Sequence, residues 1–265
     1  MIKNSTILFL ALLMVACQGK QPNSVKQPAL SSDSSNTREV ALRDTVQSNA
    51  TATGTATPDG VFISGKILMP NRAYRIWEGN DEPNNITPSW LALYPKNGKY
   101  AVQQAQYKMQ HDDEDPCSGM PTITLEPKEQ VLVYFNIPTI QKGDVDTAAF
   151  NTKIVEAGKS MAFTYNGRKY NLKASGIQFY KDENRNNPDA SYTLKLYEGD
   201  RLLRTLIHQK EYNDTATEVL FIGDLDKDGQ PDFILSSPRD YEEHRLLIIL
   251  SGSAAVYEGT MQFDC

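Results

Sequence analysis

The sequence predicts a mainly β fold: an antiparallel sheet or sandwich-like single domain with few short helices, preceded by a disordered tether. Three observations predict it. Apolar residues in the second part of the chain recur with a period of two rather than about 3.6. The apolar runs are short and rich in Val, Ile, Tyr, Phe and Leu, and Gly, Pro, Asn and Asp punctuate them. No internal repeat of roughly 20–50 residues is visible, which weighs against a complete propeller within the chain.

The first element is an export signal. Lys3 gives a positive start, Ile7 to Val15 form a short apolar core, and Ala16-Cys17 is followed at once by polar Gln18-Gly19-Lys20. Residues 1–16 thus have the shape of a secretory signal peptide, too short for a stable membrane span. The stretch Leu13-Met14-Val15-Ala16-Cys17 resembles a bacterial lipobox, with Met14 where Leu is usual. That resemblance implies cleavage before Cys17 and a diacylglyceryl group on its thiol; the alternative is an ordinary secretory signal with a chance cysteine. Two acyl chains anchor stably, since each buried CH₂ contributes about 0.8 kcal/mol. Cys17 is therefore the expected attachment to a membrane of the cell envelope. Gln18 is not the Asp associated with inner-membrane retention in some bacteria. The outer membrane is expected, with the periplasmic or surface face left open.

Residues 17–58 read as the lipidated cysteine and a flexible linker. Ser31 to Thr37 and Asn49 to Thr57 lack aromatics and a sustained apolar period, so they bury too little surface to offset their ordering entropy. A short helix near Arg38 to Val46 would not change this role. Residues 59–265 are enough for one sizeable core. Net charge is -6 over the 265 residues, and with no basic stripe nucleic acid is not an expected partner.

Within the domain, strands are expected over Val61 to Met69, Trp90 to Tyr94, Val131 to Phe135, Met161 to Tyr165 and Arg168 to Ala174. Two hairpins follow. Asn166-Gly167 supplies the positive φ angles of a type I′ turn, and Glu198-Gly199-Asp200 separates Ser191 to Tyr197 from Arg201 to His208. Three further strands are Thr217 to Ile222, Arg245 to Leu250 and Ala255 to Phe263. Helices are expected to be few and short, with Thr147 to Val155 foremost among them.

After lipidation, Cys117 and Cys265 remain, and an even pair in an exported protein reads as a disulfide. Closing a loop of roughly 150 residues would contribute up to about 5 kcal/mol in the chain-entropy model. Two unrelated thiols are the alternative.

One segment carries chemistry: Gly223-Asp224-Leu225-Asp226-Lys227-Asp228-Gly229-Gln230-Pro231-Asp232-Phe233-Ile234-Leu235. Asp224, Asp226 and Asp228 occupy positions 1, 3 and 5 of a metal loop, Gln230 offers a carbonyl at position 7, and Asp232 falls at position 9. Gly229 permits the sharp turn round an ion. Calcium takes six to eight oxygens, and carboxylates this crowded repel one another without a cation. The alternative is a solvated acidic turn held by Asx-type hydrogen bonds. Position 12 is Leu235, not the Glu of an EF-hand, and both flanks read as strands. The strand–loop–strand resembles the calcium loops of FG-GAP or integrin-type β-propeller repeats. The wider pattern resembles a group of uncharacterised bacterial lipoproteins carrying one such loop near a Cys-terminated C-terminus, most closely over Ser191 to Cys265. What this implies is a β-domain without a settled activity.

Other chemistry is unmarked. His111-Asp112-Asp113-Glu114-Asp115 reads as a solvated loop. No H-E-x-x-H, C-x-x-C or G-x-S-x-G spacing occurs, and His208 and His244 stand apart. Trp77, Trp90 and the tyrosines form either core packing or a sugar- or peptide-binding face. The expected function is a calcium-stabilised binding module for an envelope protein, a glycan or a peptide. The alternative is an envelope hydrolase with the calcium loop as scaffold, since a carboxylate pair assembled in space leaves no local signature.

Overall fold

Alternating burial along the strands sorts the described residues into four sheets and two apolar cores. The computed structural model describes residues 61–77, 82–177, 191–210 and 215–263, all within the unit Ala52–Cys265. The signal segment, Cys17, the linker and Cys265 lie outside the described residues.

In chain order the strands are β1 (Phe62–Ile63), β2 (Ile67–Leu68), β3 (Ala73–Arg75), β4 (Leu91–Lys96), β5 (Lys99–Gln104), β6 (Tyr107–Asp112), β7 (Thr122–Pro127), β8 (Val133–Phe135) and β9 (Gly143–Val145). They continue as β10 (Ser160–Tyr165), β11 (Arg168–Ile177), β12 (Ser191–Glu198), β13 (Arg201–Gln209), β14 (Glu218–Gly223), β15 (Asp232–Ser236), β16 (Glu243–Ile249) and β17 (Val256–Gln262). A 3-10 turn, Glu82–Asn85, lies between β3 and β4. The sheets have the orders β1-β17-β16-β15-β14, β10-β11-β12-β13, β2-β8-β4-β5-β9 and β3-β7-β6. All pairings are antiparallel except β1 with β17.

The C-terminal sheet is the middle layer. Phe221, Ile234, Leu246 and Ile248 join one core with the β2-β8-β4-β5-β9 sheet, while Val219, Phe233, Leu235, Leu247 and Ile249 join a second core with the β10–β13 sheet. Burial on both faces accounts for the near-continuous apolar runs of β15 and β16. By contrast β10, covered on one face, alternates strictly between exposed and buried. A bulge in β14 sets which side chain enters which core. Val219 pairs with Leu235 and Phe221 with Ile234, so the extra residue Leu220 reverses the alternation and sends Phe221 to the core opposite Val219.

The mainly β expectation holds. Asn166 and Gly167 have φ of 47° and 75°, the double positive φ of a type I′ turn, and they join β10 to β11 with Tyr165 opposite Arg168. A second Asn-Gly turn, Asn97-Gly98 with φ of 50° and 78°, joins β4 to β5 and was not among the expected hairpins. The expected helix Thr147 to Val155 is corrected: the described residues contain no α-helix, and this segment runs extended along the outer edge of β14. Thr147 bridges Gly223 and Ile154 bridges Glu218, while the N–H of Ala148 donates to the Ile222 carbonyl at 3.0 Å. The edge of β14 would otherwise leave unpaired N–H and C=O groups, and satisfying them outweighs a weak local helix preference.

The chain enters the domain at a corner. After β1 it turns at Gly65, φ 69°, and passes from the C-terminal sheet into the next one at β2. There Ile67 lies directly over Gly259 of β17; a Cβ on Gly259 would come within 2.9 Å of the Ile67 side chain.

Candidate metal loop

The aspartate loop joins β14 to β15 at one end of the central sheet. Gly223 and Asp232 face each other across the strand pair, which brings the first and ninth positions of the loop together. Gly223 is required there. A Cβ on it would lie 2.5 Å from the Asp146 carbonyl oxygen and 2.6 Å from the Phe221 ring, because the chain after β9 crosses at this point and accepts the Asp224 N–H at 3.0 Å.

Backbone amides hold the carboxylates. Asp232 Oδ2 accepts from the N–H of Leu225 at 2.7 Å and of Asp226 at 3.4 Å, and its Oδ1 accepts from the N–H of Ser251 at 2.7 Å. Asp224 accepts from the N–H groups of Asp228 and Gly229 at 3.0 and 2.9 Å. Lys227 adopts φ 63° and Gly229 φ 82°, the left-handed steps that wrap the backbone inward. Asn166, in the β10–β11 turn, donates from Nδ2 to the Gly229 carbonyl at 3.2 Å.

The result is a knot of three carboxylates. One oxygen each from Asp224, Asp226 and Asp232 lies within 4.8 Å of the others. Asp228 stands aside: its Oδ1 accepts the Gln230 N–H at 2.8 Å and its Oδ2 accepts the Ser251 hydroxyl at 2.5 Å. The Gln230 side chain is turned to the Tyr170 hydroxyl at 3.5 Å. Of the five ligands expected from spacing, three carboxylates converge, while Asp228 and Gln230 have their side chains engaged elsewhere in the loop's surroundings.

Direct charge pairing is missing from this knot, and the Arg204 guanidinium acts on Asp232 only at longer range. Among the described residues none of the four aspartates has an ion-pair partner. Lys227 sends Nζ to the Lys142 carbonyl at 3.2 Å, and Arg204 donates to the carbonyls of Leu250 and Ala254 at 2.8 and 3.3 Å. Asp232 is fully buried, and burial, with Asp226 adding repulsion, pushes its carboxyl up to about 7. Burial followed by the charges of Asp228 and Asp224 also raises Asp226. Burial pushes the nearby Tyr165 hydroxyl up to about 12, with Asp224 and Asp146 adding to the shift. Asp226 Oδ1 is a buried oxygen with no hydrogen-bond donor among the described residues. An acceptor in that position is costly unless a proton or a cation meets it. The donor set is all oxygen, which suits a hard divalent ion.

Sequence reasoning missed Ser251, which holds both Asp232 and Asp228, and the side-chain role of Asn166. Ser251-Gly252-Ser253 marks a turn, and nothing local says that the turn packs against a loop nineteen residues earlier. The second acidic run separates from this site. Asp115 pairs with Arg75 at 3.2 Å and accepts from the Ser118 N–H and hydroxyl, and those Ser118 bonds hold its carboxyl below the usual range. His208 meets Thr193 at 3.0 Å and His244 stacks on Phe263. Cys117 is not a free thiol; its expected partner Cys265 lies outside the described residues. Neither a family model, nor a curated protein, nor a solved structure matches the chain.

Proposed function

We propose that the chain is a lipid-anchored protein of the bacterial cell envelope, on the outer membrane, whose β-domain is a binding module stiffened by calcium at residues 224–232. The observation that carries the cation is the donorless, buried Oδ1 of Asp226 beside the carboxylates of Asp224 and Asp232. The Asp224, Asp226, Asp228, Gln230, Asp232 spacing, which resembles FG-GAP or integrin-type loops, supports the same reading. Asp224, Asp226 and Asp232 would be the first ligands. Asp228 would join by exchanging its bond to Ser251, and Gln230 by its backbone carbonyl. The ion would neutralise the loop and tie β14, β15 and the 250–254 turn together. Without a twelfth-position Glu, the affinity belongs with extracellular modules, on the order of 10⁻⁴–10⁻³ M.

The anchor rests on the Leu13 to Cys17 pattern and the polar segment after it, and a Cys117–Cys265 disulfide would secure the end of the chain. The decisive experiment is calorimetric titration of metal-stripped protein with calcium, paired with thermal melts in calcium and in chelator. Binding heat and a melting temperature raised by calcium are expected. No heat and identical melts would end the calcium reading. Moving to the soluble fraction on Cys17→Ser is the matching expectation for the anchor, and retention in membranes would refute it.

A further inference from the structure

A cavity of about 260 Å³ opens at the end of the central sheet opposite the aspartate loop. Its walls come from β3 and the residues just after it, the 3-10 turn, the β15–β16 connection and the end of β17. Trp77 stands half-exposed at this opening, a large flat apolar surface left to solvent on a chain that buries its other indole, Trp90, almost completely.

The polar groups of the cavity identify what it suits. Arg75 is matched to Asp115 at 3.2 Å and Arg239 to Glu243 at 2.5 Å. Both guanidinium groups are therefore already paired with carboxylates, which leaves no spare cation to draw an anion. Glu82 is different: among the described residues it has no hydrogen bond or ion pair, and burial raises its carboxyl. It is an acceptor in need of donors. Gln262 adds an amide with both donor and acceptor atoms.

A neutral saccharide meets each of these conditions. Its hydroxyls donate to Glu82 and accept from the arginine and glutamine edges, and its apolar C–H face covers an indole. We propose that the cavity beside Trp77 is a saccharide-binding site, with Trp77 as the stacking platform and Glu82 as the principal acceptor. This deepens the binding-module reading by naming the ligand class, and it rests on that reading without requiring the cation.

The test uses tryptophan emission of the full chain, whose ligand-dependent change reports Trp77 because Trp90, 2% exposed, is out of a ligand's reach. Glucose, N-acetylglucosamine, maltose, cellobiose and diacetylchitobiose are titrated to tens of millimolar, beside citrate, free lysine and triglycine, in calcium and in chelator. A saturable response to at least one neutral sugar is expected, with none to citrate, lysine or triglycine. By calorimetry Trp77→Ala should weaken that sugar about tenfold or more, and Glu82→Gln by a smaller factor. Both variants should melt with the parent, which separates lost binding from lost folding. Silence towards every neutral sugar, a stronger response to citrate, lysine or triglycine, or undiminished sugar binding by Trp77→Ala would overturn the proposal. Sugar binding that persists in chelator leaves the saccharide site standing even if the calcium titration fails.

Discussion

Glu243 and Glu258, in one half of the central sheet, sit against Arg239 and Arg245, whereas Asp224, Asp226 and Asp232, at the other end, meet amides and one another. Arg245 is buried and donates to Glu258 at 2.5 Å, to Gln209 Oε1 at 3.1 Å and to the Ser237 carbonyl at 3.2 Å. Charge is balanced there by the chain itself. At the aspartate end the nearby cations, Lys227 and Arg204, are both aimed at carbonyls. Two acidic clusters on one scaffold thus differ in where their counter-charge comes from. The first is paired with arginines in direct contact, and the second is held by backbone amides without a direct ion pair.

The comparison sharpens most where the balanced half is broken. Arg245→Ala leaves the buried Glu258 with only the longer Arg239 contact at 3.9 Å and should cost about 3 kcal/mol by denaturant unfolding, in calcium and in chelator alike. Replacing both partners with apolar residues of similar volume should recover most of that loss. A calcium-dependent penalty would mean that the two halves are not separate.

Next in size is the effect of neutralising the unbalanced end. Asp226→Asn should abolish the calcium-induced rise in melting temperature and, in chelator, should match or exceed the parent, because a raised carboxyl is one whose charge opposes folding. Opposite signs in the two conditions are the signature of a missing counter-charge. Equal losses in both would mark the loop as ordinary packing.

A smaller effect is the pH dependence of the same end. The folded-state carboxyl of Asp232 sits at about 7, above its unfolded value, so the native state holds more protons between the two. Its contribution is then fully present below the ordinary carboxylate range and is lost as pH rises through about 7. On the calcium reading proposed above, a bound cation would replace those protons. The difference between calcium and chelator melts should widen from acid to neutral pH, and a pH-flat difference would break the assignment. The smallest change expected is Arg239→Ala. Its guanidinium is half-exposed, which holds the loss to about 1 kcal/mol.

Much of this was legible in the sequence, for reasons that are local. Asn166-Gly167 names its own turn, and the alternation of β10 records a single covered face. The same Asn-Gly signal at Asn97-Gly98 is less plain, because Pro95 two residues before it is unusual within a strand. In the fold β4 pairs with β8 only over Leu91 to Leu93, so Pro95 sits where no amide is wanted on that side. The segment Thr147 to Val155 was misread because its partner, the edge of β14, lies some seventy residues away and no local period reports it. Within the site, the aspartate spacing was plain, but which carboxylates converge depends on Ser251 and on the strand register. The cavity beside Trp77 is assembled from four separate stretches and leaves no motif.

The corner at the start of the domain has a mechanical consequence. A pull on the chain from its N-terminal side reaches β1 first, where only Phe62 and Ile63 pair with β17. Those two rungs can give way without disturbing either core. The load then meets Ile67, wedged over Gly259, where further travel would have to drag a filled interior apart. Under such a load the short parallel strand would be the sacrificial link, and the isoleucine behind it the stop.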